Sequence, residues 1–305
     1  MPLPIVHHVR TGLRQAVSMA GEALLPRETG IRLERRMRGW EEAGKLAASD
    51  GVVVSFGKSG RTWFRVLVSR YYAHKYGLPD GQMMEFDEFH RANPSIPALF
   101  FTHGNYLKDY VGHDRKSELY GRAPVILLVR DPRDTAVSQY FQWKHRMLPR
   151  KKVINGYPAG ETGIDTFILG AEAGIPKIID FMNDWARELK LLPNLLVVTY
   201  EDLKADTAGQ LGRALRFLGE DPTDAALADA AEFASIENMR KMEQENAGKL
   251  AANTRLKPGD AKDPSSFKVR RAKVGGWRDY VSEEQAAAID KMVRERLDPV
   301  FGYAS

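Results

Sequence analysis

From Val52 to Tyr72 the chain reads VVVSFGKSGRTWFRVLVSRYY: an apolar β-branched run, a break at Gly57, Lys58, Ser59 and Gly60, then a helical pattern opening near Thr62. A buried strand joined to a helix by a short glycine-bearing loop is the opening unit of an α/β fold. It commits the rest of the chain to covering both faces of a parallel sheet. The same loop suits an anion, because glycines let backbone N–H groups turn toward one point, Lys58 adds a positive charge, and the helix presents its positive end. Further apolar runs at 98–102, 124–129 and 195–199 alternate with helical patterns at 132–143, 177–191, 207–218 and 282–297. The expected fold is α/β: a single domain over 49–305 with a central parallel sheet flanked by helices and a P-loop-like phosphate-binding loop after the first strand. Residues 1–48 read as a helical N-terminal extension. Lys58, His103, Arg130 and Tyr200 all fall at carboxyl ends of strands, where ligands bind in such sheets.

A nucleoside triphosphatase loop needs a glycine six residues before its lysine. Position 52 is Val52, and Gly51 is one residue too early. The loop resembles instead that of the sulfotransferases that use 3'-phosphoadenosine 5'-phosphosulfate, usually Pro-Lys-Ser-Gly-Thr-Thr-Trp. Gly57, Lys58, Ser59, Gly60, Arg61, Thr62 and Trp63 agree at five of seven positions, departing at Gly57 and Arg61. Arg61 is left either on the cofactor or in solvent.

The resemblance extends over roughly residues 50–290 in the family's order, which is more specific than any single loop. After the run VILLV come Arg130, Asp131 and Pro132, with Asp131 suited to cap a helix that Pro132 begins. Arg130 and Ser138, eight residues on, match the family pair that holds the cofactor's 3'-phosphate. Arg270, Arg271 and Ala272, followed by Gly275, Gly276 and Trp277, match a C-terminal block whose basic residues and backbone N–H close on the same phosphate. Ala272 replaces a glycine there, and a left-handed backbone at that position would cost about 1 kcal/mol. Tyr200, leading a Tyr-Glu-Asp sequence, matches a tyrosine near the adenine. Trp63 would stack on that base, with Ile236 as an apolar lid where the family has phenylalanine.

The resemblance implies transfer of a sulfuryl group to an acceptor hydroxyl or amine, with adenosine 3',5'-bisphosphate as product and no metal. Lys58 would stabilise the leaving oxygen. His103, in a Thr-His pair ending the run PALFF, matches the catalytic base. Glu85, Asp87 and Glu88 stay as a reserve base, their bland alternative being a solvated acidic turn. The segments 144–163 and 246–266, the latter containing Gly248, Pro258, Gly259 and Pro264, read as mobile flaps that choose the acceptor. That acceptor is a small-molecule, sugar or lipid alcohol. Two rivals remain: a non-catalytic homologue that binds the same nucleotide, and a small-molecule kinase, for which Asp131 is the one candidate Mg²⁺ carboxylate.

A hydrophobic fraction of 43% in 305 residues supports one α/β core. With no cysteine there are neither disulfides nor thiolate metal sites, consistent with a reducing compartment, and the expected location is cytoplasmic. A net charge of +5 suits a polyanionic small molecule, and no nucleic-acid-reading motif accompanies it. Val9, Leu13, Val17, Ala20 and Leu24 form a stripe on the first helix that packs on the core or touches a membrane surface. The family's dimer motif is not reproduced at 278–287, so oligomeric state stays open.

Overall fold

The computed structural model describes residues 5–121, 123–247 and 255–304, without the side chains of 5–8 and 22. Two antiparallel-running helices come first, α1 (Ile5–Leu24) and α2 (Arg27–Ala47). The central sheet follows: β1 (Gly51–Ser55), β2 (Leu99–Thr102), β3 (Val125–Val129) and β4 (Leu195–Thr199) lie in the order β2-β1-β3-β4, every pair parallel. Alternate residues of each strand serve opposite layers. Val52 and Val54 face one apolar cluster with Trp185 and Ile179, while Val53 faces another with Leu67 and Tyr72. Both faces are covered, and β1 and β3 are accordingly buried along their whole length, with β3 and the Val52–Val54 run of β1 apolar.

Four helices matter for the site. The helix α3 (Arg61–Tyr76) follows the first loop, and α4 (Pro132–His145) starts on Pro132 with Asp131 accepting from the N–H of Arg133. The short α5 (Pro149–Ile154) and the later α6 (Ile236–Glu245), capped by Ser235, line the cavity described below. Ser282 and Gln285, which bound four residues of sequence that read as a helix start, form a capping box on the last helix, Glu283–Arg296.

Several expectations are corrected. The run read as one helix over 177–191 is a helix Ile175–Ala186, with Pro176 in its first turn, followed by a separate short turn at Leu189–Leu191. The segment 144–163 is not a loose flap. It contains α5, and Arg35 donates to the Ile154 carbonyl at 2.7 Å while the Trp143 indole donates to Pro158 at 3.0 Å. In 246–266, residues 248–254, Gly248 among them, lie outside the described residues, and the remainder carries a short helix at Pro264–Ser266. The apolar stripe of α1 does not pack on the core: Val9, Leu13 and Leu24 are exposed. That helix docks on α2 through its polar side, with Arg14 paired to Glu41 at 2.7 Å and Arg10 over the Trp40 ring at 4.6 Å. Among the described residues, no helix is long and apolar enough to cross a membrane.

Candidate active site

The loop between β1 and α3 turns through two left-handed residues, Lys58 (φ 75°) and Gly60 (φ 89°). Glycine at 57 answers a different need, since a Cβ there would meet Gln139 Oε1 at 2.9 Å, and a Cβ on Gly60 would meet the Tyr200 ring at 2.8 Å. A lysine held left-handed is strained by about 1 kcal/mol. That strain aims its side chain into a cavity of about 1140 Å³ that opens over the carboxyl ends of the strands.

Cations from four separate segments line this cavity: Lys58, Arg130 after β3, Arg146 after α4, and Lys268 and Arg270 near the C-terminus. Burial, together with Arg146, Arg130 and Arg270, pulls the Lys58 ammonium down to about 7 despite the nearby Glu243. Burial and then Lys58 hold Lys268 well below the usual lysine range. The Nε atoms of Arg130 and Arg146 are buried without a hydrogen-bond partner. Crowded, desolvated cations of this kind fit a multiply charged anion placed among them.

Asp134, itself buried, organises this arrangement. Its carboxylate accepts from the N–H groups of Gly275 (2.8 Å) and Trp277 (3.0 Å) and lies 3.7 Å from Arg130. One side chain on α4 thereby ties the C-terminal block over the phosphate loop. Arg270 stacks on Phe141 at 3.7 Å and donates to the Tyr280 hydroxyl, while Arg271 sits exposed at the rim, paired with Asp279 at 2.8 Å. Ala272 is left-handed (φ 50°), and its carbonyl accepts from Lys204. Ser138 lines the cavity on the same side, and Ser59 is buried in the loop.

At one end of the cavity Trp63 and Tyr200 meet edge to face, centroids 5.6 Å apart, with the indole donating to Ala234 at 2.8 Å. The Arg130 guanidinium lies 4.2 Å over the Tyr200 ring. Ile236 and Met239 complete an apolar wall, and Thr62 lines the loop with its hydroxyl 3.4 Å from the Lys268 ammonium.

Beyond the loop, His103 is fixed by two contacts. Its Nδ1 lies 2.8 Å from the Ser55 carbonyl, which only accepts, so Nδ1 carries the proton and Nε2 the lone pair. Arg61 donates to that Nε2 at 2.7 Å. Arg61 therefore does not point into solvent: it lines the cavity and rests on the imidazole. Burial first, then Arg61, Lys151 and Lys268, hold His103 well below 6.5.

The reserve carboxylates are not a solvated turn as a group. Glu85 lines the cavity in ion pairs with Arg255 and, at 3.3 Å, with Arg65. Burial pushes its carboxyl up, but those arginines outweigh it and keep it low, which leaves a weak base. Asp87 pairs with Arg91 at 3.4 Å, and Glu88 is exposed. Asp131, the carboxylate a kinase would need, caps α4 and pairs with Arg133 at 3.0 Å. Among the described residues no cluster of His, Asp or Glu is arranged for a metal ion.

Sequence reasoning missed several lining residues. Lys268 and Lys151 stand in visibly basic stretches, which was a usable signal. Glu42 gave none: it projects from α2 to accept from the Thr102 hydroxyl at 3.0 Å and the Tyr106 N–H at 3.3 Å, and burial raises its carboxyl.

Fold and site together define an α/β protein whose first loop opens a cavity lined by cations on one side and by an aromatic and apolar wall on the other. The sulfotransferase domain model matches residues 48–301, and the chain belongs to that family. Sulfotransferase 2A6 of Rattus norvegicus is 27% identical over 184 residues, which cover 60% of this chain and 59% of the rat protein, so the match spans little more than half of that relative. Cytosolic sulfotransferase 12 of Arabidopsis thaliana is 25% identical over 270 residues, covering 82% of this chain and 77% of that one. Among solved structures, mouse sulfotransferase SULT7A1 complexed with PAP superposes with a TM-score of 0.56 at 24% identity, covering 84% of this chain and 89% of that one. Retinol dehydratase in complex with retinol and PAP gives the same TM-score at 17% identity, with 85% of each chain covered. At those identities both share the fold.

Proposed function

We propose that this protein transfers a sulfuryl group from 3'-phosphoadenosine 5'-phosphosulfate to an acceptor hydroxyl or amine. The observation that supports this most directly is the convergence of Lys58, Arg130, Lys268 and Arg270 on one cavity beside an aromatic wall. When bound, the donor supplies the sulfuryl group: its bond from sulfur to the bridging 5'-phosphate oxygen breaks as a bond from sulfur to the acceptor oxygen forms, leaving adenosine 3',5'-bisphosphate. Lys58, with Gly57, Ser59, Gly60 and Thr62, holds the 5' end and offsets the charge that builds on the bridging oxygen. Arg130, Ser138, Arg270, Arg271 and the backbone at Ala272 hold the 3'-phosphate. Trp63, Tyr200 and Ile236 hold the base.

His103 Nε2 is the group placed to take the acceptor's proton, since Nδ1 is already committed to Ser55. For that transfer Arg61 has to leave the lone pair it now occupies. Closure of the C-terminal block, tied down by Asp134, excludes water from the reacting atoms. A cytosolic setting accords with the Arabidopsis relative's name and with a chain free of cysteine.

Two measurements test the reading. Calorimetry should find adenosine 3',5'-bisphosphate bound tightly and ATP with Mg²⁺ poorly, the reverse result favouring a kinase. Labelled donor incubated with a panel of phenols, alcohols, sugars and amines should yield labelled product. Tight bisphosphate binding with silence across the panel would point to a non-catalytic binder.

A further inference from the structure

The acceptor end of the cavity has an unbalanced charge. Arg61 Nη1 is buried with no hydrogen-bond partner, and Lys151, reaching the same cavity from α5, has no hydrogen bond or ion pair through its ammonium among the described residues. The carboxylates within Coulomb reach are engaged elsewhere. Glu85 is held by Arg255 and Arg65, and Glu42 by the Thr102 hydroxyl and the Tyr106 N–H, with burial pushing it toward its neutral form. Burial, then Arg38, Arg255 and Arg61, pull the Lys151 ammonium down, as expected of cations facing one another across a shared space. A buried guanidinium N–H without an acceptor is costly, and the arrangement persists where a ligand supplies what is missing.

We propose that the acceptor carries an anionic group, a carboxylate or a phosphate, close to its nucleophilic hydroxyl, and that Arg61 and Lys151 receive that anion. This rests on the sulfotransferase reading and narrows its substrate class. The same contact solves the problem of the base. Arg61 donates to His103 Nε2 at 2.7 Å, so a neutral acceptor finds the lone pair occupied. An anion beside the hydroxyl offers Arg61 a stronger, charge-assisted acceptor, draws it off the imidazole and leaves Nε2 open to the hydroxyl proton. It also offsets the positive field that disfavours imidazolium. Activation of the base is thus coupled to recognition of the charge. Phe56 and Phe181, edge to face at 5.6 Å, line the cavity as well and leave room for an aromatic body.

Matched pairs test this on the full chain: 4-hydroxyphenylacetate against its methyl ester, and glucose 6-phosphate against glucose. Transfer from the labelled donor should be at least tenfold more efficient, as kcat/KM, for the charged member of at least one pair. Calorimetry on the protein saturated with adenosine 3',5'-bisphosphate should show the same member binding tighter than its neutral partner. Lys151→Met should bring the charged-to-neutral ratio toward one and Lys151→Arg should keep it, with melting curves confirming that both variants fold. A ratio near one in both pairs, or a preference that Lys151→Met leaves intact, overturns the proposal while bisphosphate binding leaves the sulfotransferase reading standing. Failure to bind the bisphosphate at all overturns that reading instead, and this proposal with it.

Discussion

Binding of adenosine 3',5'-bisphosphate should draw protons out of solution. In the free protein burial and three neighbouring arginines set the Lys58 ammonium at about 7. A group with that pKa is about nine-tenths neutral at pH 8. An anion seated in the loop reverses the balance and returns the lysine toward its ordinary value near 10.4, so Lys58 takes up about 0.9 proton on binding at that pH. Lys268, held low by burial and then by Lys58, shifts in the same direction when an anion is seated beside it. The ligand's own second phosphate ionisations lie near pH 6 and are complete at pH 8, so they contribute little. Calorimetric titrations at pH 8 in HEPES and in Tris, whose ionisation enthalpies differ, read the proton count from the difference in apparent enthalpy. Lys58→Met should lower it by about one, and the wild-type dissociation constant should rise by about tenfold per pH unit per linked proton above pH 7. Zero uptake, or uptake that Lys58→Met leaves untouched, would mean that Lys58 is already charged in the free protein and would refute the reasoning.

Further outcomes follow from the same geometry. Lys58→Ala should slow transfer by about a hundredfold or more at pH 6, about 3 kcal/mol of barrier, in single-turnover assays of labelled product; an unchanged rate would remove it from the leaving-oxygen role. His103 acts as a base only when neutral, and its pKa is depressed, while Lys58 is charged only below about 7. The kcat/KM profile for the donor, which reads the free protein, should therefore peak on the acid side of neutrality and fall above it, whereas a profile climbing through pH 6.5 to a plateau at pH 9 contradicts both assignments. Ala272→Gly removes about 1–2 kcal/mol of left-handed strain and returns about 0.4–1 kcal/mol to the unfolded chain, so urea unfolding should show a net gain of about 0.5–1 kcal/mol; a loss would mean the alanine side chain contributes packing. Asp134→Ala orphans the Gly275 and Trp277 amides at a cost of about 2–4 kcal/mol and should also weaken bisphosphate binding, with Asp134→Asn intermediate in both assays.

What the sequence determined by itself was whatever rests on local pattern. Apolar runs bounded by turn residues located all four strands to within a residue or two, because β1, β2 and β3 are buried on both faces and β4, at the sheet edge, is buried on alternate residues. The Gly57–Trp63 loop, the Asp131 cap and the Ser282–Gln285 capping box depend on neighbours in the chain and were equally legible. Even the penalty at Ala272 could be stated in advance, since it depends only on one backbone angle. Tertiary structure alone decided which distant groups meet. No spacing rule places Arg61 on His103, forty-two residues away, or hangs the C-terminal block on Asp134, or brings Glu42 from α2 and Lys151 from α5 to the rim of one cavity. Those contacts are set by how helices pack across a sheet, which is a property of summed burial rather than of any short segment. The ionisation of the site follows them, because a charge responds to everything within reach, whichever part of the chain it came from.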